Sequence, residues 1–282
     1  MTTSAADLRR GAEAAAAGLP ALVMAARHLA ASVAPGLHGR RRAGAGEDFW
    51  QYRPAQPGDS ARQIDWRRSA RGDTAFVRDR EAQAAQTLAI WVDPAARMDF
   101  TAAPGRPTKA DRARLLALAA AALALRGGER VALADPGARP GQGLAQLTPL
   151  AAGLIDVQAA APALPTRGRA LILSDFLGDL APFAAMLTDA ADRAVSGVLV
   201  QVLDPAEASF PFAGRTILHE GGLAHDTARA EGLRDRYLAR LADRRAELAA
   251  LAQGAGWRLV SHVTDMPPAL ALMALHQGLG AA

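Results

Sequence analysis

The chain has no cysteine, which excludes disulfides, thiolate nucleophiles and cysteine-held zinc or iron–sulfur groups. Lysine is almost missing as well: Lys109 is the only one, and every other strongly basic side chain is an arginine. That bias carries the isoelectric point to about 10.4, although the formal charge is only +4. Guanidinium groups stay charged at any accessible pH and grip carboxylates or phosphates with paired hydrogen bonds. So small a net charge nevertheless exerts little long-range pull on a polyanion, which makes nucleic acid the less favoured partner.

Long apolar runs are lacking too. Met1-Thr2-Thr3-Ser4 leads through Asp7, Arg9, Arg10 and Glu13 without the apolar stretch of a secretory signal. Ala14 to Ala34 is interrupted by Pro20, Arg27 and His28, too polar for a membrane span. The expectation is a cytoplasmic protein with no membrane anchor in this chain. Catalytic signatures are also missing: no G-x-S-x-G, no Walker A run, no H-E-x-x-H and no Rossmann glycine fingerprint. His219 and His225 flank Gly221-Gly222 without a third ligand at useful spacing and read as loop residues. A hydrolase using Asp93 as nucleophile or base lacks a phosphate cradle, so no enzyme is expected.

What is present is a globular composition, half apolar and about a fifth charged, in a chain long enough for one sizeable core. Residues 5 to 34 read as one or two helices broken at Pro20, with Leu19, Leu22, Val23, Ala26 and Leu29 on one stripe. Pro35 to Gly46 is turn-rich and carries Arg40-Arg41-Arg42. Phe49, Trp50, Tyr52 and Arg53 suggest a short strand, Pro57-Gly58-Asp59 a turn, and Asp65 to Arg71 a helical turn capped by Asp65.

From Thr74 the pattern becomes regular. A strand near Ala75 to Val77 precedes one from Thr87 to Asp93, whose unbroken Leu88-Ala89-Ile90-Trp91-Val92 fits a strand buried on both faces. Helices near 109–125, 144–154, 181–194, 227–253 and after Pro268 alternate with strands near 130–135, 170–174, 197–202 and 257–262. This alternation predicts an α/β, doubly wound, mostly parallel sheet with helices on both faces. No repeat or linker divides it. The expected organisation is an N-terminal helical and β elaboration over 1–86 and a sheet domain over 87–282.

Open parallel sheets bind ligands beyond the carboxyl ends of their strands, where Asp93 and Asp175 each follow an apolar run. Left together they would repel one another and desolvate at a cost. Arg97, four residues past Asp93, is expected to lie between them as a cation, joined by charge-assisted hydrogen bonds. A second constellation is Arg62, Asp65, Trp66, Arg67, Ser69 and Arg71. Here Trp66 is expected to anchor the segment by burial, with arginines pairing to Asp59, Asp73 or Glu81.

The residues Arg53, Pro57-Gly58-Asp59, Arg62, Ile64-Asp65-Trp66, Ser69-Ala70-Arg71, Asp93 and Met98 resemble the domain-of-unknown-function family 58. So do Ser174-Asp175-Phe176, Asp204-Pro205-Ala206-Glu207, Phe210-Pro211-Phe212, Tyr237 and Gly256-Trp257. The resemblance implies a von Willebrand factor A-like domain. Its metal site would hold Mg²⁺ through Asp-x-Ser-x-Ser, a threonine and a second aspartate, hard oxygen ligands suited to that ion. Here Ala95 and Arg97 stand where both serines belong, and neither Thr108 nor Thr148 falls at a clear loop position. The site is therefore expected to be degenerate and without a metal cofactor. The resemblance further implies a protein-binding adaptor working beside a MoxR-type AAA+ ATPase and its client. The alternative is a nucleic-acid-binding module using the basic arm at 40–71, which would bind with steep salt dependence.

Overall fold

Strand β3 (Thr87–Val92) shows why the sheet forms: its side chains alternate, Leu88, Ile90 and Val92 facing one apolar layer and Ala89 and Trp91 the other, so no polar face remains for solvent. The computed structural model describes residues 20–33, 49–55, 64–70, 72, 74–80, 86–156, 161–220, 223–227 and 229–280. They fall into two compact units, one formed by residues up to His38 together with Gln86 onward, the other by Gly39–Ala85.

In the larger unit, β3 joins β4 (Arg130–Leu133), β5 (Gly168–Ser174), β6 (Val195–Leu203) and β9 (Arg258–Val263) in the order β4-β3-β5-β6-β9, every pair parallel. One face carries α3 (Lys109–Arg126), α4 (Leu147–Ile155), α8 (Pro268–Gly280) and α1 (20–33). The other carries α5 (Ala181–Asp192) and α7 (Glu231–Gly254). This is the mixed α/β, parallel, helix-covered arrangement expected from the alternating pattern.

Helix α3 is buried on most sides through a run of alanines, whose small side chains let it lie close to β3 and its helical neighbours at no propensity cost. Among the described residues helix α1 runs from Pro20 to Val33. Its stripe Ala26, Leu29, Ala30 and Val33 enters the core of the sheet unit, so it groups with the sheet and not with 39–85. At Gly197 a Cβ would stand 2.4 Å from the Ala170 carbonyl and 2.7 Å from the Trp257 ring. Glycine there lets Trp257 seat against β6 and donate its indole N–H to the Val195 carbonyl at 3.0 Å.

Three short elements differ from the sequence reading. His219 and His225, read as loop residues, lie in β7 (Thr216–Glu220) and β8 (Leu223–Thr227), an antiparallel pair. The sequence between them, Gly221-Gly222, is a strong hairpin signal. Helix α6 (Pro205–Ser209) follows β6 directly, started by Asp204 with Glu207 in a capping box.

In the smaller unit β1 (Phe49–Pro54) pairs antiparallel with β2 (Phe76–Arg80), and Arg53 is in register with Val77. Helix α2 (Trp66–Ser69) is capped by Asp65, whose carboxylate accepts from Arg68 N–H at 3.0 Å. The Ser69 hydroxyl donates to the Asp65 carbonyl and accepts from Phe76 N–H, both at 2.8 Å, tying the turn to β2. Trp66 corrects an expectation: it is 63 % exposed, because a single helical turn offers too little apolar area to cover an indole. Pro57, Gly58, Asp59, Arg62 and Arg71, with Asp73 and Glu81, lie outside the described residues.

Candidate functional site

Connections leaving β3 lead to α3 on one face of the sheet, and those leaving β5 lead to α5 on the other. The strand order therefore reverses between these neighbours, and such a reversal opens a crevice at their carboxyl ends. Asp93 and Asp175 are the first residues past the two strands. Both point into the interior at this place, Asp93 being 5 % and Asp175 0 % exposed.

The structure brings Arg97 between them. Residues Ala96–Asp99 form a 3₁₀ turn that carries the guanidinium back over the strand ends. Its Nε donates to Asp175 Oδ1 at 2.9 Å and its Nη2 donates to Asp93 Oδ2. Asp93 Oδ2 also accepts from the Ser174 hydroxyl at 2.6 Å, and Oδ1 from Ala95 N–H at 2.9 Å. Ala95 contributes backbone only, its methyl having no donor. No hydrogen bond of Arg97 Nη1 occurs among the described residues, and the side chain remains 39 % exposed.

Beneath this lid lies a side chain that sequence reasoning had not assigned to the site. Lys109, 1 % exposed, donates from Nζ to Asp175 Oδ2 at 2.8 Å and to Glu207 Oε1 at 2.6 Å. Its ammonium lies 5.7 Å from the centre of the Phe100 ring, a distance suited to cation–π attraction. Glu207 Oε2 accepts from Asp204 N–H at 2.9 Å, and Asp204 caps α6 through Ala206 N–H at 2.8 Å. A continuous charge network thus runs Asp93–Arg97–Asp175–Lys109–Glu207 across the ends of β3, β5 and β6. Gln201 completes it, donating to the Asp175 carbonyl at 3.1 Å and accepting from Arg245 Nε at 3.2 Å.

A signal for Lys109 existed. It is the chain's only lysine and the first residue of α3 after the Thr108 cap, where the helix dipole disfavours a cation. Such a placement makes sense only beside carboxylates. Phe176 adds a local clue: it adopts φ 53° with its ring fully buried, a left-handed backbone that a bulky residue keeps only under strong constraint. That turn lets Phe176 N–H donate to Ser174 Oγ at 3.1 Å and Leu177 N–H to Asp175 Oδ1 at 3.0 Å.

The protonation states follow from these contacts. Burial works against ionisation of Asp175, but the charge and hydrogen bond of Lys109, the Leu177 N–H and Arg97 together hold its carboxyl below the usual range. Burial lifts Glu207 above its usual range despite Lys109, and the nearby Asp175 charge adds to that lift. Lys109 is shared by two carboxylates, so it cannot fully neutralise both. For Arg97, burial is outweighed by its hydrogen bond to Asp175 and the charges of Asp175 and Asp93, and its pKa rises.

Two clefts flank the Asp93–Ala95 turn. One of about 410 Å³ lies toward α3 and α4, bounded by Asp99, Arg114 and Leu154. The other, about 350 Å³, lies toward α5, with Arg97 on its wall. Among the described residues no group of three histidine, aspartate or glutamate side chains is arranged to hold a metal ion. No described helix is long and apolar enough to cross a membrane.

Fold and site together define a parallel α/β protein whose switch-point crevice is closed by an internal network of ion pairs. The chain belongs to the family described as Protein of unknown function DUF58, which matches residues 51–247. It is 31% identical over 249 residues to the Uncharacterized protein Rv1480 of Mycobacterium tuberculosis, a match spanning 79% of this chain and 76% of that one. The Uncharacterized protein Mb1516 of Mycobacterium bovis is similar to the same extent. Among solved structures, an aerotolerance-related membrane protein from Bacteroides fragilis aligns with 70% of this chain and 100% of its own, at TM-score 0.40 and 12% identity. The conserved hypothetical protein BatB from Bacteroides thetaiotaomicron aligns over the same shares at TM-score 0.40 and 11% identity.

Proposed function

We propose that this protein is a non-enzymatic adaptor with a von Willebrand factor A-like domain, docking a protein partner at the Arg97 face and working beside a MoxR-type AAA+ ATPase on a client protein. The carrying observation is Arg97 itself: two of its nitrogens close the Asp93–Asp175 pair, while the side chain remains 39 % exposed. A part-exposed guanidinium beside a crevice suits a partner's carboxylate. An ATPase adaptor works where ATP is found, so the cytoplasm is the proposed compartment.

The donor set does not fit the magnesium site that such a domain would otherwise hold. Ala95 and Arg97 bring no hydroxyl, and Asp175 already meets two cations on its two oxygens. Magnesium is expected to leave the melting temperature of the parent unchanged. In an Ala95→Ser, Arg97→Ser variant it should raise it, modestly, because Lys109 remains on Asp175. A clear magnesium response of the parent in differential scanning fluorimetry would overturn the degenerate-site reading.

Affinity purification of the tagged protein tests the adaptor role. A MoxR-type ATPase should copurify with the parent and be lost with Arg97→Glu, which places a third carboxylate against Asp93 and Asp175. Unchanged recovery would remove the Arg97 face from consideration. A second reading, nucleic-acid binding by the basic arm at 40–71, draws on Trp66, 63 % exposed beside the exposed Arg67. It requires filter-binding affinity that falls steeply between two salt concentrations.

A further inference from the structure

The two edges of the parallel sheet are finished differently. At the β4 edge, Val131 N–H donates to the Gly141 carbonyl and the Val131 carbonyl accepts from Gly141 N–H, both at 2.9 Å, so a neighbouring segment closes that side. Strand β9 lies at the other edge. Thr264, just past its end, donates its N–H to the Leu203 carbonyl at 2.9 Å, and β9 follows β6 in unbroken register from Arg258 to Val263. In a parallel ladder alternate residues turn both backbone groups to the neighbouring strand. Arg258, Val260 and His262 therefore face β6 as Thr264 does, and Leu259, Ser261 and Val263 turn their backbone groups outward.

Of these outward groups, the Val263 carbonyl accepts from Met266 N–H at 3.0 Å. Leu259 N–H and C=O, Ser261 N–H and C=O, and Val263 N–H have no hydrogen bond among the described residues. The edge reaches solvent, Ser261 being exposed and Leu259 and Val263 half-buried. A row of open backbone groups is a template for another strand, and sheets commonly protect such edges with proline, lysine or a bulge. β9 has none of these, and its one charged residue, Arg258, stands at its first position.

The open groups are complementary to themselves. When a second β9 lies antiparallel with its two-fold axis at Val260, Leu259 of each copy faces Ser261 of the other, and each such pair exchanges both of its hydrogen bonds. An axis at Ser261 would instead set Leu259 against Val263, whose carbonyl Met266 already occupies. With the axis at Val260, that residue meets its own copy across the junction, and β-branched side chains suit such a pair. Arg258 and Asp265, at opposite ends of the strand, are both exposed. Antiparallel pairing brings the basic end of one copy toward the acidic end of the other, whereas parallel pairing would set like beside like. Exposed charges contribute little affinity, but they select direction.

We propose that β9 is a self-association edge, where a second copy of this chain joins antiparallel about Val260 to make one continuous sheet. Because all strands of the sheet run parallel, the carboxyl ends of the two joined sheets, and the Arg97 faces with them, point in opposite directions. The pairing leaves the docking role of Arg97 intact and does not depend on it.

A chain without cysteine allows a clean test at full length. Val260→Cys should form a disulfide between two copies, since residues opposed in a non-hydrogen-bonded pair stand about 4.5 Å apart at Cα, within disulfide range. Ser261→Cys meets its own copy only diagonally, at about 7–8 Å, and should cross-link about tenfold more slowly. In sedimentation equilibrium the parent should dimerise. Ser261→Pro removes only an outward N–H and should weaken the dimer about tenfold or more, with the far-UV circular dichroism of the parent. Should proline unfold the chain, Ser261→Lys keeps the N–H, places a lysine on the edge and carries the same expectation. A monomeric parent would overturn the proposal and leave the edge to an extended segment of another protein. A dimer indifferent to Ser261→Lys, or Val260→Cys cross-linking no faster than Ser261→Cys, would overturn it as well.

Discussion

Replacing Lys109 by methionine is expected to destabilise the protein by about 3–5 kcal/mol, the range for removing one partner of a buried ion pair. Methionine matches the length and fills the space, so the loss reports charge and not volume. What it leaves behind is Asp175, fully buried, with Arg97 as its one cationic partner among the described residues, and Glu207 with none of its Lys109 contact. The charge and hydrogen bond of Lys109 are the main influences that keep Asp175 ionised against its burial, so their removal pushes that carboxyl up. Urea denaturation should show the fall, and adding Asp175→Asn in the methionine background should recover part of it, since directly bonded partners couple by about 0.5–3 kcal/mol. A Lys109→Met protein that melts with the parent would mean that the network contributes nothing to the fold.

Acidification should weaken the protein through His262. This side chain is 3 % exposed on β9, and no partner for its Nε2 occurs among the described residues. Burial and then the charge of Arg112 push its pKa down to about 4, with Asp265 opposing. The unfolded chain takes up this proton near the ordinary value of 6.5, while the folded chain does so only near 4. Between those values the unfolded state binds more protons, so stability is lost as pH falls from about 6.5 to about 4. The loss amounts to about 2–3 kcal/mol at pH 4.5.

Two other groups act nearby with opposite signs. Glu207, with its raised pKa, protonates first in the folded state and adds stability as pH falls toward its unfolded value. Asp175, with its lowered pKa, holds its contribution until pH drops below the usual aspartate range. The His262 share is therefore read by difference: His262→Gln should lose about 2–3 kcal/mol less than the parent between pH 7.5 and 4.5. Parallel pH curves for the two proteins would refute it.

The sheet was legible because buried parallel strands leave a plain trace. Leu88 to Val92 and Ala170 to Leu173 are unbroken apolar runs, and both end in aspartate, so chain order alone placed Asp93 and Asp175 at the same edge of the sheet. Arg97 was legible for an electrostatic reason: two carboxylates at one edge require a cation, and it stands one turn past the first of them. Lys109, Glu207 and Gln201 were harder to see, since their meeting depends on α3, α6 and β6 converging over separations of 66 and 98 residues. Nothing local announces such a contact beyond the awkward position of a lone lysine at a helix start. Trp66 failed differently. An aromatic ring on a short turn reads as an anchor whenever burial is assumed, and only packing reveals that nothing large enough covers it. Helix α1 grouped with the sheet because its alanine stripe fits a close-packed layer, a property of the surface it meets and not of its own spacing.

Burial of the only lysine side chain has a practical result for anyone hunting the partner. Reagents that acylate amines, including the common bifunctional cross-linkers, find no accessible ε-amino group on the folded protein, so they report association poorly. Arginine-selective or photoactivated chemistry is required instead. The same feature turns Lys109 into a reporter, since its acylation must wait for the charge network to open and its rate therefore times that opening.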